Sequence, residues 1–206
     1  MKTDFWNNFW MVIVGILSLA TSIVAIYLAY KANKQVEKQI VLSNKQLLFE
    51  KRVDVFNKIR TMNATCSTSF KGGDEVSVGN LDFILRRFIR NEYFEDTYKL
   101  SSIEVGNKTL EDIDIQKNYL EVLKKILLLN DITLIIFEDN SYLEMVSNFI
   151  LAYQDFLTEV YDYYMSNKSP RDLDKVKNKF QVLKNKYKIM DDSRALVLLM
   201  QSIKLF

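Results

Sequence analysis

From Phe9 to Tyr30 the chain carries 22 consecutive residues without a formal charge, and no other feature limits its fold as strictly. At a helical rise of about 1.5 Å per residue the run extends roughly 33 Å, enough to cross a hydrocarbon core of about 30 Å. Trp6, Phe9 and Trp10 crowd one end, and Tyr27 and Tyr30 stand at the other, the two levels where amphipathic rings favour the water–lipid boundary. Lys2 and Asp4 precede the run, whereas Lys31, Lys34, Lys38 and Lys45 follow it. The cationic excess predicts that the C-terminal side faces the cytoplasm. A cleaved signal peptide is the rival reading. Against it stand the length of the run, a barely basic start and the lack of an A-x-A-like site. Two later apolar stretches, Ile126–Phe137 and Ala195–Phe206, cover 12 positions each and carry Asn130 and Asp131, or Lys204. Runs that short predict buried helices. The expectation is one crossing.

Within "GILSLATSIVAIYLA" the small residues Gly15, Ser18, Ser22, Ala25 and Ala29 recur at steps of 3, 4, 3 and 4. Such steps place them on one stripe of a helix. Helices associate in lipid where small side chains let backbones approach, so the stripe predicts packing of Gly15, Ser22, Ala25 and Ala29 against further copies of the chain. Two other readings stay open. Small residues are common in spanning helices, and Ser and Thr also bond back to their own carbonyls. Alternatively Ser18 and Thr21 line a narrow pore, which requires a ring of several subunits because one helix cannot enclose water.

Composition removes many chemistries. The 206 residues include no histidine and one cysteine, Cys66. That excludes an internal disulfide framework, a Cys/His zinc site and any His-dependent triad, and it removes the commonest general base near neutrality. "FEDN" and "MDD" lack a third placed ligand for a divalent cation, and "KGGDE" lacks the second Gly-Lys-Ser/Thr element of a Walker loop. No catalytic residue, metal site or cofactor is therefore expected, and the chain is read as a non-enzyme. A net charge of +2 gives no overall pull toward nucleic acid or anionic lipid.

With 5 glycines and 1 proline, the sequence suits long helices. The expected order is an anchor over 1–30, a stalk helix over 31–70 and a cytoplasmic helical bundle over 71–206. The fold class is all-α, with five or six helices in the bundle. Phe49, Val53, Phe56 and Ile59 form the stripe by which the stalk should enter the bundle. "KGGDEVSVGN" breaks the chain, and Leu81, Ile84, Leu85 and Phe88 then recur at helical spacing. Thr109-x-x-Asp112 resembles a capping box that opens a helix with Leu110, Ile113, Leu120, Leu123 and Leu127 inward. Ser141-x-x-Glu144 opens another with Val146, Phe149, Ile150, Tyr153, Leu157 and Val160 inward. Ser169-Pro170 starts a helix carrying Leu173, Val176, Phe180, Leu183 and Tyr187, and a short helix follows from about Ser193.

Charge is segregated in the bundle. Residues 131–162 hold seven acids and no base, while residues 168–188 hold eight bases and two acids. Neighbouring helices of opposite charge explain this as well as a surface for phosphates or lipid headgroups does. "RRFIRNEYF" is more focused. Arg86, Arg87 and Arg90 interleave with Phe88, Tyr93 and Phe94, and guanidinium forks beside rings suit a nucleotide or oligonucleotide through bidentate phosphate contacts and stacking. Arg86, Arg87, Arg90 and Tyr93 are the ligand-binding candidates. The competing account buries Phe88 and pairs the arginines with Glu92, Glu95 or Asp96.

The stretch "IYLAYKANKQVEKQIVLSNKQLLFEKRVDVFNKI" resembles an arrangement found in bacterial single-span membrane proteins, with a Gln/Lys-rich stalk and an "LSNKQ…FEKR" segment. Some such proteins are effectors of abortive-infection, anti-phage systems, and the stretch resembles in particular the channel subunit of Hailong-type systems. The resemblance covers about 35 residues and carries no functional motif. It implies a homo-oligomeric channel in a bacterial inner membrane, N-terminus outside, controlled by an oligonucleotide or by the protein that makes it. The alternative is a membrane-tethered adaptor that conducts nothing.

Overall fold

The computed structural model describes residues 2–73, 75–89, 113–137, 141–165 and 172–204. The protein is all-α. Six helices follow one another: α1 (Lys2–Lys71), α2 (Leu81–Ile89), α3 (Ile113–Ile136), α4 (Ser141–Met165), α5 (Leu173–Asp192) and α6 (Ala195–Lys204), with no strand among the described residues. The chain divides into two compact units, Met1–Leu47 and Leu48–Phe206.

The described residues of the first unit are all helical. The unit contains a window long and apolar enough to cross a membrane by length and composition, and none of that window is buried within the protomer. No Gly or Pro interrupts α1 after Gly15, so nothing local stops helix propagation before Lys71.

The second unit begins at Leu48, earlier than the boundary at 71 that composition suggests, because the C-terminal part of α1 belongs to its core. Arg52, Val55, Ile59, Met62, Cys66 and Ser69 are buried at steps of 3, 4, 3, 4 and 3, the 3.5-residue period of a coiled-coil seam. The expected entry stripe is displaced from this one: Ile59 is buried, Val53 and Phe56 flank the core half-buried, and Phe49 is exposed. The true seam includes an arginine and a serine, which apolar periodicity passes over. The helix stops where Gly72 N–H donates to the Thr68 carbonyl at 3.1 Å and Gly73 takes φ +72°, a left-handed conformation that glycine adopts without a Cβ penalty.

Leu81, Ile84, Leu85 and Phe88 of α2 are buried, as the spacing predicts, and Ile89 is buried with them. Helix α4 is the centre of the unit and packs against α3, α5 and α6. Val146, Phe149, Ile150, Tyr153, Leu157 and Val160 all point into the core. On α5 the buried row is Val176, Phe180, Leu183, Tyr187 and Met190, with Leu173 half-buried. Its cap is Asp172, whose side chain accepts from Lys175 N–H at 3.4 Å; Ser169-Pro170 lies outside the described residues. Phe88 sits among Phe70, Tyr153, Phe156 and Phe180, with ring centroids 5.2–6.4 Å apart.

Helix α3 departs from expectation. Leu123 is buried, but Leu120 and Leu127, expected inward, are exposed. Tyr119, Val122, Ile126, Leu129, Asn130 and Thr133 face inward instead. Leu and Ile occur all round this helix, so apolar spacing does not fix its rotation. The polar residues that do turn inward are satisfied there: Tyr119 Oη donates to the Leu157 carbonyl at 2.6 Å, Thr133 Oγ1 to the Leu129 carbonyl at 2.6 Å, and Ser147 Oγ to Asn130 Oδ1 at 2.7 Å. Leu110, the Ile113 side chain and the Thr109-x-x-Asp112 box lie outside the described residues.

Candidate functional site

Gly15, Ser18, Ser22, Ala25 and Ala29 share one exposed stripe of α1. A Cβ built at Gly15 meets nothing within 4 Å, so the protomer itself places no demand for glycine there. Two hydroxyls of this segment are occupied locally. Thr21 Oγ1 donates to the Leu17 and Ser18 carbonyls at 3.0 and 2.9 Å, and Ser22 Oγ donates to the Ser18 carbonyl at 2.8 Å. Back-bonding of this kind is how a polar side chain is accommodated where no water solvates it. Bulk, rather than hydrogen-bonding capacity, is what distinguishes this stripe from the Leu/Ile/Val remainder.

Of the four ligand candidates, Arg86 and Arg87 lie half-buried on α2, and Arg90 and Tyr93 fall outside the described residues. Arg87 is committed to the fold. Its Nη1 donates to Ser69 Oγ at 3.2 Å, a hydrogen bond that ties α2 to α1, and its guanidinium lies 4.6 Å from the ring centroid of Phe83 one turn earlier on α2. Phe88 is fully buried and presents no stacking surface. Arg86 enters no side-chain hydrogen bond or ion pair among the described residues, so of the two described candidates it is the one whose guanidinium is not committed to the fold. The tyrosines of "EVYDYYM" pack half-buried against the core, and Tyr164 Oη donates to Asp82.

The lysines of α5 do not form a uniform plate. Lys179 pairs with Asp155 of α4 at 2.8 Å, and Lys175 and Lys177 pair with Asp172 and Asp174 at 3.9 and 3.2 Å. Among the described residues one ion pair, Lys179–Asp155, joins the basic and acidic runs across α5 and α4, while the other two are local to the start of α5, and exposed pairs of this kind add little stability. No group of three or more potential metal-ligating side chains occurs among the described residues.

The sequence gives no hint of the role of Arg52. It is 6% exposed, donates through Nε to the Ile136 carbonyl at 2.8 Å, and lies 5.7 Å from the Phe137 ring centroid. A cation thereby closes the C-terminal end of α3, where carbonyls lack helical partners and the dipole is negative.

Cys66 is fully buried in the α1 seam, and burial pushes its thiol well above the ordinary range. The folded chain holds this proton where the unfolded chain releases it, so stability falls as pH rises through the unfolded thiol's pKa. In the native protein, Cys66 is expected to resist alkylation by a water-soluble maleimide and to react in step with denaturant unfolding. Fast native labelling would contradict its burial.

No protein-family profile, no curated protein and no solved structure matches the chain.

Proposed function

We propose that this protein is a single-pass membrane effector that assembles with copies of itself through the Gly15–Ala29 stripe and conducts ions, in the manner of a bacterial anti-phage channel. The cytoplasmic helical unit holds the assembly closed until a nucleotide, an oligonucleotide or a protein partner changes its state. The N-terminus lies outside, and the inner membrane is its location. It performs no catalysis. What supports this reading is the exposed apolar window of α1, along which one edge is kept free of bulk although nothing in the protomer requires it. Close approach of backbones is the use such an edge has in lipid. Ser18 and Thr21 are the residues proposed to line the conducting path, and Arg86 is the described residue proposed to meet the ligand.

A second reading is favoured by the back-bonded hydroxyls. Thr21 and Ser22 have carbonyl partners on their own helix and need no neighbour, as in an adaptor that tethers a partner and conducts nothing.

Substitution Ser22→Leu separates the two. Leucine raises the apolarity of the span, so insertion is retained while the close approach is lost. In cells loaded with a potential-sensitive dye, the wild type is expected to depolarise the membrane under activating conditions and the variant to leave the potential unchanged. No signal from the wild type under any activating condition would favour the adaptor, and equal depolarisation by both chains would mean conduction that does not depend on close approach along the stripe.

A further inference from the structure

Leu120, Leu127, Leu128, Leu134 and Ile135 of α3 are 41–79% exposed, and their spacing is regular. Leu120, Leu127 and Leu134 stand seven residues apart, as do Leu128 and Ile135. At about 100° per residue the first three form one row and the last two a parallel row roughly 100° away. Between the rows, also seven apart, lie Lys124 and Asp131. Both are exposed, and neither makes an ion pair or side-chain hydrogen bond among the described residues.

This face complements itself when one copy is turned end for end. We propose that α3 pairs with α3 of a second chain, antiparallel, about a two-fold axis midway between Leu127 and Leu128. A two-fold contact is isologous, so whatever meets in one half meets again in the other. In this register Lys124 faces the partner's Asp131 and Asp131 faces the partner's Lys124. Leu127 and Leu128 each pack on their own counterparts, and Leu120 packs on the partner's Leu134. The charges also select direction. A parallel pair in register sets lysine on lysine and aspartate on aspartate within an apolar seam, which is repulsive twice over. An acidic residue between the apolar rows also disfavours laying this face on an anionic lipid surface.

One helix pair buries less than the roughly 800 Å² per partner of a standard interface. Chains confined to one bilayer meet at high effective concentration, so the pairing draws on the proposed anchor for its strength. It rests on the self-assembly reading, adding a contact in the helical unit, and is independent of conduction.

The test uses the full chain in lipid vesicles with Leu127→Cys and a short bismaleimide; Cys66 is buried and stays out of the reaction. A covalent dimer is expected. Adding Lys124→Asp or Asp131→Lys should each lower its yield by about tenfold, the effect of roughly 1.4 kcal/mol. Mixing the two charge variants should restore it, since every contact then joins opposite charges across two chains. Adding Ser22→Leu instead should leave the dimer, which separates failure of this contact from failure of the span contact. A yield no higher than that of Ile189→Cys, exposed on α5, or no restoration on mixing, would overturn the pairing. So would a thiol at 127 that is uncrosslinked yet shielded by vesicles, which would assign the face to lipid.

Discussion

Replacing Phe88 with Ala is expected to destabilise the helical unit by about 3–5 kcal/mol, the range for removing a fully buried aromatic ring. For a unit of this size that corresponds to a fall in Tm of about 6–20 °C. Phe88 is fully buried and touches the rings of Phe70, Phe156 and Phe180, one from each of α1, α4 and α5. Its carbonyl also accepts from Tyr153 Oη at 2.5 Å. Deleting the ring removes dispersion contacts with three helices, and no single neighbour can relax into the space. Helix α2 has only nine residues, too few to persist without packing, so its docking is expected to fail with the ring. Denaturant unfolding followed by near-ultraviolet circular dichroism measures this loss. A change below about 1 kcal/mol would contradict the role assigned to this cluster.

Arg52→Ala is the second substitution with a large expected effect. Removing a hydrogen bond from a charged donor costs about 1.5–3 kcal/mol, and loss of a cation at the helix terminus adds about 0.3–1 kcal/mol. The Ile136 carbonyl is then left without its 2.8 Å donor, and the aliphatic stem no longer fills its place in the α1 seam. Arg52→Met should recover the stem's packing and leave the carbonyl unpaired. Its stability should therefore fall between wild type and the alanine variant. The ordering wild type, Met, Ala in denaturant midpoint checks this. A methionine variant as stable as wild type would show that relief of guanidinium desolvation outweighs the lost bond.

The helical content and most core rows were legible in the sequence, for a physical reason. On α4 and α5 an apolar row is set against a polar face, so Phe149, Tyr153, Phe180 and Leu183 could be placed from spacing alone. On α3 that contrast is absent. Leucines cover both sides, and the rotation is decided by polar groups that find internal partners: Tyr119 on the Leu157 carbonyl, Asn130 with Ser147. Likewise the α1 seam contains Arg52 and Ser69, whose burial depends on the Ile136 carbonyl and Arg87, groups distant in the chain. The candidate sites were legible only as residue types at a spacing. Whether Arg87 is available to a ligand depends on Ser69 and Phe83, which no local pattern near Arg87 specifies.

Energy transfer between labelled chains in vesicles, followed as lipid is added at constant protein, probes most directly whether the spans adhere. Transfer that persists on dilution in the wild type and collapses in Ser22→Leu is the predicted result. Wild-type transfer that falls in proportion to added lipid, indistinguishable from the leucine variant, would mean that the spans lie apart and that the protein is a tethered helical domain without a multimeric membrane core.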